Sequence, residues 1–349
     1  MDVYDIAQTI IVIEFLIIMS VVLATYFSII IIFLMKKRAK KLKGKAEKFL
    51  TTLILQKERF QRKQFLPAWE RLDLLISLLN KMDEEVARSD WEKIKNDLLH
   101  EIVLPLARKS ALDASWPQRL LAAKSFCFLC EKGDERLVEK LANDDNDLVS
   151  LNAGRATINH ASEQSIRRMV DRIHNRRWLS QKMFLSVFDH APLIICHYVA
   201  DYLGCPIPDP YIRSTCYRIL LKYPKSSIPR IDIYPDLQSN NMDLKLKALK
   251  FLSHAFSLEE AMPILEENLS SNAWEVKVVA LNGLKQLHAS ESDHQIEKLL
   301  RDPNWWVRLR AAETLNSFGE RGRQILQRQD VHLDAFAYDI SQHVLSYQP

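Results

Sequence analysis

Trp274–Leu284 reads WEVKVVALNGL and Trp305–Leu315 reads WWVRLRAAETL. Laid over one another with a shift of 31 residues, the two stretches place Val276 on Val307, Lys277 on Arg308, Ala280 on Ala311 and Leu284 on Leu315. Extending the frame toward the N-terminus finds LKLKALKFL from Leu244, IRSTCYRIL from Ile212, LVSLNAGRAT from Leu148 and QRLLAAKSF from Gln118. The lead positions are then Gln118, Val149, Ser180, Ile212, Leu244, Val276 and Val307, at intervals of 31 or 32 residues. The unit at Ser180 (WLSQKMFLSVF) is placed by spacing.

Each slot in this frame has a physical reason. Four residues after the lead stands a small side chain: Ala122, Ala153, Cys216, Ala248, Ala280 and Ala311. Eight after it stands a larger apolar one: Phe126, Phe188, Leu220, Leu252, Leu284 and Leu315. Positions i, i+4 and i+8 share one face of a helix, so this stripe points inward, and the small slot admits a neighbouring helix. Eleven residues before the lead, Val138, Ile233, Leu265 and Ile296 mark a second apolar helix. Two helices per repeat, neither able to bury its face alone, predict a stacked solenoid. A scarcity of Gly, 7 in 349 residues, argues against a turn-rich β fold.

The pattern Asp302-Pro303, Val307, Arg308, Ala311 and Ala312 resembles short HEAT repeats of the phycobilisome-lyase-like kind. Asp209, Pro210, Ile212, Arg213 and Cys216 repeat it with Cys in the alanine slot. The resemblance covers about 111–330 and implies an all-α fold, a right-handed α-solenoid of about seven repeats. Solenoids of this kind mostly bind other proteins, so a protein partner is expected.

Ahead of the repeats, Phe15–Met35 is 21 residues without a charge, FLIIMSVVLATYFSIIIIFLM. As a helix it spans about 31 Å, matching a hydrocarbon core of about 30 Å. Asp2 and Asp5 make the start acidic, unlike a signal peptide. Lys36, Lys37, Arg38, Lys40, Lys41, Lys43 and Lys45 follow at once, seven cations in ten positions with no acid. Positive residues stay on the cytoplasmic side, which predicts an N-terminus outside and a cytoplasmic C-terminal part at an inner or plasma membrane. These seven residues are the candidate contacts to anionic lipid head groups. Without them the chain carries 41 basic against 44 acidic residues, a balance that excludes a nucleic-acid binder with a basic folded domain. Five irregularly placed cysteines agree with a reducing compartment.

The expected organisation is an anchor at 1–35, a basic juxtamembrane helix at 36–65 along the bilayer surface, a helical connector at 66–110, the solenoid at 111–330 and a capping helix at 331–349. In the connector, Leu72, Leu75, Ile76 and Leu79 have helical spacing, and Ser89 and Asp90 offer a helix start before Trp91.

Four motifs invite a chemical reading. One residue after the lead, Arg119, Arg213, Lys245, Lys277 and Arg308 form a cationic ladder. Pairing with loop groups such as Asp209 or Asp302 accounts for it, and a polyanion-binding face is the alternative. Two residues before the lead, Trp116, Trp178, Trp274 and Trp305 form a row. Rings wedged between adjacent turns account for the row, with a ligand groove as the alternative. Arg168, Arg172 and Arg176 share a helix face offset only by Asp171, either as a solvated surface or as a contact to an acidic partner or anionic lipid. Arg168, Arg172, Arg176, Trp274 and Trp305 are therefore the candidate partner-binding residues.

Cys127-Phe-Leu-Cys130 has the spacing of half a zinc site, but no second pair follows, and buried thiols are the better reading. Among HEAT-like enzymes, the peptidyl-lysine hydroxylases hold two irons with several His-Glu pairs. This chain has one, His100-Glu101, outside the repeats. With no phosphate loop, nucleophile elbow or triad in view, no cofactor or metal is expected. The function read from the sequence is a membrane-anchored scaffold or adaptor, compatible with an envelope or polysaccharide-export assembly. A lyase-type enzyme is the alternative.

Overall fold

The computed structural model describes residues 3–56, 58, 60, 67–86, 88–160, 162–174, 178–206 and 209–346. Among them all regular structure is helical. The chain falls into two compact units, 1–156 and 157–349.

Unit one begins with α1, Val3–Gln56, and every described side chain from Ile13 to Arg38 is exposed. The segment from Ile13 is long and apolar enough to cross a membrane. Its hydroxyls turn back onto the helix: Ser20, Thr25 and Ser28 donate to the carbonyls of Ile17, Val22 and Ala24, each at 2.7 Å. Such back-bonding satisfies a hydroxyl that apolar surroundings cannot. The helix does not stop at Met35 as the expected boundary required. No Pro interrupts the run, and Lys, Ala and Leu are good helix formers. Ala46, Leu50 and Leu53, on one face, enter a core with Trp69, Leu72, Leu75, Leu79, Trp91 and Leu98. The basic segment thus continues into the first helix of a packed unit instead of forming a separate surface helix. Lys43 donates to Ser77 at 2.6 Å, while Lys36, Lys37, Arg38, Lys40, Lys41 and Lys45 are exposed.

The unit continues with α2 (Leu72–Glu85), α3 (Arg88–Leu98) and α4 (Leu104–Ser110). Because α3 begins at Arg88, Ser89 and Asp90 lie in its first turn and not at its cap. A π-helical turn, Leu99–Val103, joins α3 to α4 ahead of Pro105, which has no N–H to give the regular ladder. The first repeats follow as α5 (Trp116–Phe126), α6 (Glu135–Ala142) and α7 (Asp147–Asn159). Ala122, Phe126, Val138, Val149 and Ala153 meet in one core, and Gln118, the lead of that unit, is exposed.

Unit two opens with α8 (Glu163–His174), α9 (Trp178–Ser186) and α10 (Ile194–Gly204). Hairpins follow: α11 (Pro210–Leu220) with α12 (Tyr234–Leu237), and α13 (Met242–Ala255) with α14 (Leu258–Asn268). Then come α15 (Trp274–Gln286) with α16 (Asp293–Lys298), α17 (Trp305–Ser317) with α18 (Glu320–Gln327), and α19 (Ala335–Ser346). The first helices of successive hairpins pack on one another: α11 on α13, α13 on α15, α15 on α17. Cys216, Ala248, Ala280 and Ala311 are fully buried at those contacts, as are Leu220, Leu284, Leu315, Leu265 and Ile296. Close approach needs the small slot; burying each large aliphatic contributes about 1.5–3 kcal/mol.

The hairpin entrances share a local device. Asp144, Ser239, Ser271 and Asp302, each five residues before a lead, accept the N–H two residues on, as does Asp113 before α5. Asn241 and Asn304, three before the lead, then cap α13 and α17 by accepting from Leu244 and Trp306. The chain is bent twice in succession by side-chain oxygens, which is why helix starts recur so regularly. Asp209 does not sit in the Asp302 position. It is itself the cap of α11, accepting from Tyr211 at 2.8 Å.

Candidate functional site

The cationic ladder is built into the fold. Arg119 binds Asp144 (2.5 Å) and also the carbonyls of Asp113 and Ala114. Lys277 binds Asp302 at 2.6 Å, and Arg308 donates to the carbonyls of Asp302 and Pro303 at 2.8 and 3.1 Å. Arg213 grips Asp236 with two bonds of 2.7 Å and reaches the Leu203 carbonyl. A cation at the start of one helix thus ties the loop before it and an aspartate 23 to 25 residues later. Asp302 serves as expected; Asp209 does not, since Arg213 takes Asp236 in its place. Lys245 is half-buried.

Arg119 holds the Asp144 carboxyl below the usual carboxylate range, chiefly through its hydrogen bond. A carboxyl depressed in the folded state stabilises above its unfolded pKa, and that contribution is lost as pH falls through the folded value. The melting temperature of wild type should therefore exceed that of Asp144→Asn at about pH 6, and the gap should close toward about pH 3. A gap independent of pH would show that the pair does not form.

Of the arginine cluster, Arg168 is exposed and Arg172 half-buried on α8, while Arg176 lies outside the described residues. Their neighbour Arg167 turns inward, binding Glu163 at 2.5 Å with its guanidinium over the Tyr202 ring.

The tryptophan row is not wedged between turns. Trp116, Trp274 and Trp305 are 44%, 39% and 46% exposed, and the Trp178 side chain lies outside the described residues. A residue two before the lead occupies the first turn of its helix, where no preceding turn covers it. In unit two the exposed set is wider than the sequence suggested. Tyr211, Met242, Trp274 and Trp305 occupy the first turns of α11, α13, α15 and α17, and Trp306 stands beside Trp305 with ring centroids 4.8 Å apart. Because these four helices pack in order, their first turns line up into an apolar row. Contiguous exposed apolar surface of this kind marks contact sites. Tyr211 and Trp306 could have been found by allowing the position next to the lead, and Met242 by allowing residues other than Trp two before it.

The thiols show no reactive setting. Cys127 and Cys130 are half-buried rather than buried, and burial pushes each thiol up to about 11, so both stay protonated at neutral pH. Cys127 donates to the Asn152 carbonyl at 3.4 Å. His100 lies 2.7 Å from Glu131, and Arg108 bridges Glu131 and buried Asp134. Arg108 first, then His100, hold the Glu131 carboxyl below its usual range. Among the described residues no three His, Cys, Asp or Glu side chains gather as a metal site.

Residues 294–321 match the HEAT repeat. The matched segment runs through α17 and carries Trp305, Trp306, Arg308 and Ala311. HEAT repeats generally mediate protein–protein interaction. No curated protein matches the sequence. Solved structures similar to the chain include an engineered protein at 15% identity, with 70% of this chain and 77% of that one covered and a TM-score of 0.36. Human deoxyhypusine hydroxylase, in complex with glycerol, aligns at 14% identity over 72% of this chain and 98% of its own, with a TM-score of 0.28. Likenesses this distant do not bear on activity.

Proposed function

We propose that the protein is a membrane-anchored cytoplasmic scaffold that holds a protein partner on its helical-repeat surface and carries no catalytic centre. The N-terminus lies outside, α1 crosses the bilayer near 15–35, the exposed cations from Lys36 to Lys45 meet anionic head groups, and an α-solenoid follows. An envelope or polysaccharide-export assembly is a setting that suits such an adaptor. The observation that carries the reading is the aromatic row of unit two. Trp is the residue most enriched at interface hot spots, and truncating one costs 2 kcal/mol or more, about 30-fold in affinity. The test is capture from detergent extracts on full-length wild type and on Trp274→Ala/Trp305→Ala/Trp306→Ala. Proteins held by wild type should be lost from the variant, whose melting temperature should be nearly unchanged because the rings are exposed. Equal capture by a folded variant would remove the row from the interface.

A further inference from the structure

Within unit two a groove of 370 Å³ crosses α9, α11 and α13, lined by Lys182, Leu185, Arg218, Leu221, Lys222, Lys247 and Lys250. Five of these seven side chains are cationic and none is acidic. Two have carboxylates from outside the lining: Lys222 binds Asp189, and Lys247 lies 3.8 Å from Asp243. Arg218 and Lys250 have no ionic or hydrogen-bonding partner among the described residues. The contrast with the ladder is sharp, since Arg119, Arg213 and Lys277 each hold an aspartate. Like charges gathered with only part of their counter-charge repel and destabilise the compact state.

The geometry points to this groove as the docking site for an extended acidic segment of the partner protein, with carboxylates on Arg218 and Lys250 and an apolar side chain over half-buried Leu221. The inference rests on the scaffold reading and names the chemistry of one partner segment. α11 packs on α13, and stacked helices lie about 8–10 Å apart, the reach of roughly three extended residues. Alternation along an extended chain sends every second side chain to the same face, so acidic and apolar residues taking turns at every second position meet cations set beside leucine. The lining does not suit a nucleic acid, because it offers no aromatic ring for a base to stack on. Nor does it suit a phosphate group held by backbone N–H donors: Lys182, Arg218, Lys247 and Lys250 all stand beyond the first turn of their helices, where the N–H groups are used within the helix.

The test uses the full-length protein in detergent and a short fluorescent peptide, Glu-Ser-Leu-Ser-Glu-Ser-Leu, which when extended presents Glu and Leu in turn on one face, followed by anisotropy. The peptide should bind wild type and bind more weakly as salt rises. Arg218→Glu/Lys250→Glu should weaken it by about tenfold or more, two contacts being turned from attraction to repulsion. Arg218→Lys/Lys250→Arg should bind as wild type, and the same peptide with Gln for Glu should not bind. Circular dichroism on each variant shows whether the fold is kept, and the charge-conserving pair keeps the test decisive if the reversal unfolds the protein. Equal binding to the reversal variant, no binding of the acidic peptide to wild type, or binding dependent on Arg218 and Lys250 only for anionic vesicles or single-stranded DNA would each overturn the proposal. None of these outcomes touches the scaffold reading, which is tested at the tryptophans.

Discussion

Asp236→Ala should lower the stability of the folded protein by about 3–5 kcal/mol, the usual cost of removing one partner from a buried charge network. Asp236 is buried on α12 and receives three bonds, two from Arg213 at 2.7 Å and one from the Tyr217 hydroxyl at 2.6 Å. Tyr217 is fully buried, and burial first, then its bond to Asp236, raises the phenol well above its usual range. Without the carboxylate, a largely buried guanidinium keeps only carbonyl partners and a buried hydroxyl keeps none. Asp236→Asn, which preserves shape and part of the bonding, should cost less. Arg213→Met/Asp236→Leu should recover much of the loss, because it removes the stranded charge as well. Urea unfolding of the full chain in detergent checks this. A loss below about 1 kcal/mol for Asp236→Ala would mean that α12 does not close on α11 as described.

Gly322→Ala should cost about 3 kcal/mol or more. An added Cβ on Gly322 would stand 1.7 Å from the Leu315 carbonyl oxygen and 2.6 Å from its carbon. Those are backbone atoms of α17, so no rotamer change relieves the clash, and α18 has to lift away. The approach is this close because only Phe318 and Gly319 link the two helices, with Gly319 at φ +72°. Gly283 is the fitting comparison. Its added Cβ would meet the end of the Leu265 side chain at 2.9 Å, which can move. Gly283→Ala should therefore cost clearly less than Gly322→Ala in the same melting series. The reverse order would contradict the packing of α18 on α17.

The repeat frame was legible because its slots answer to helix geometry. Ala122, Ala153, Cys216, Ala248, Ala280 and Ala311 are all buried, and so are Phe126, Leu220, Leu252, Leu284 and Leu315. Features that depend on neighbouring elements were less legible. Tryptophans suggested buried rings, yet a first-turn position has no turn ahead of it to pack on, and Trp274 and Trp305 face outward. The ladder's partners needed the 23- to 25-residue offset that joins Arg119 to Asp144, Arg213 to Asp236 and Lys277 to Asp302. The repeat length did not suggest it. Lys182, Arg218, Lys222, Lys247 and Lys250 come from three stretches of the chain and become one feature only when those stretches line one groove. The end of the anchor helix was misread because a change of composition at Met35 is no reason for a helix to stop.

The claim that a cytoplasmic binding platform hangs from a membrane helix is tested most directly by topology. The full chain, expressed in its own cells, carries at its C-terminus either a reporter active only in the cytoplasm or one active only outside it. Membranes are then washed with alkaline carbonate. The cytoplasmic reporter should be active, the other silent, and the protein should resist extraction. Activity of the outside reporter, or release of the chain into the wash, would contradict the account.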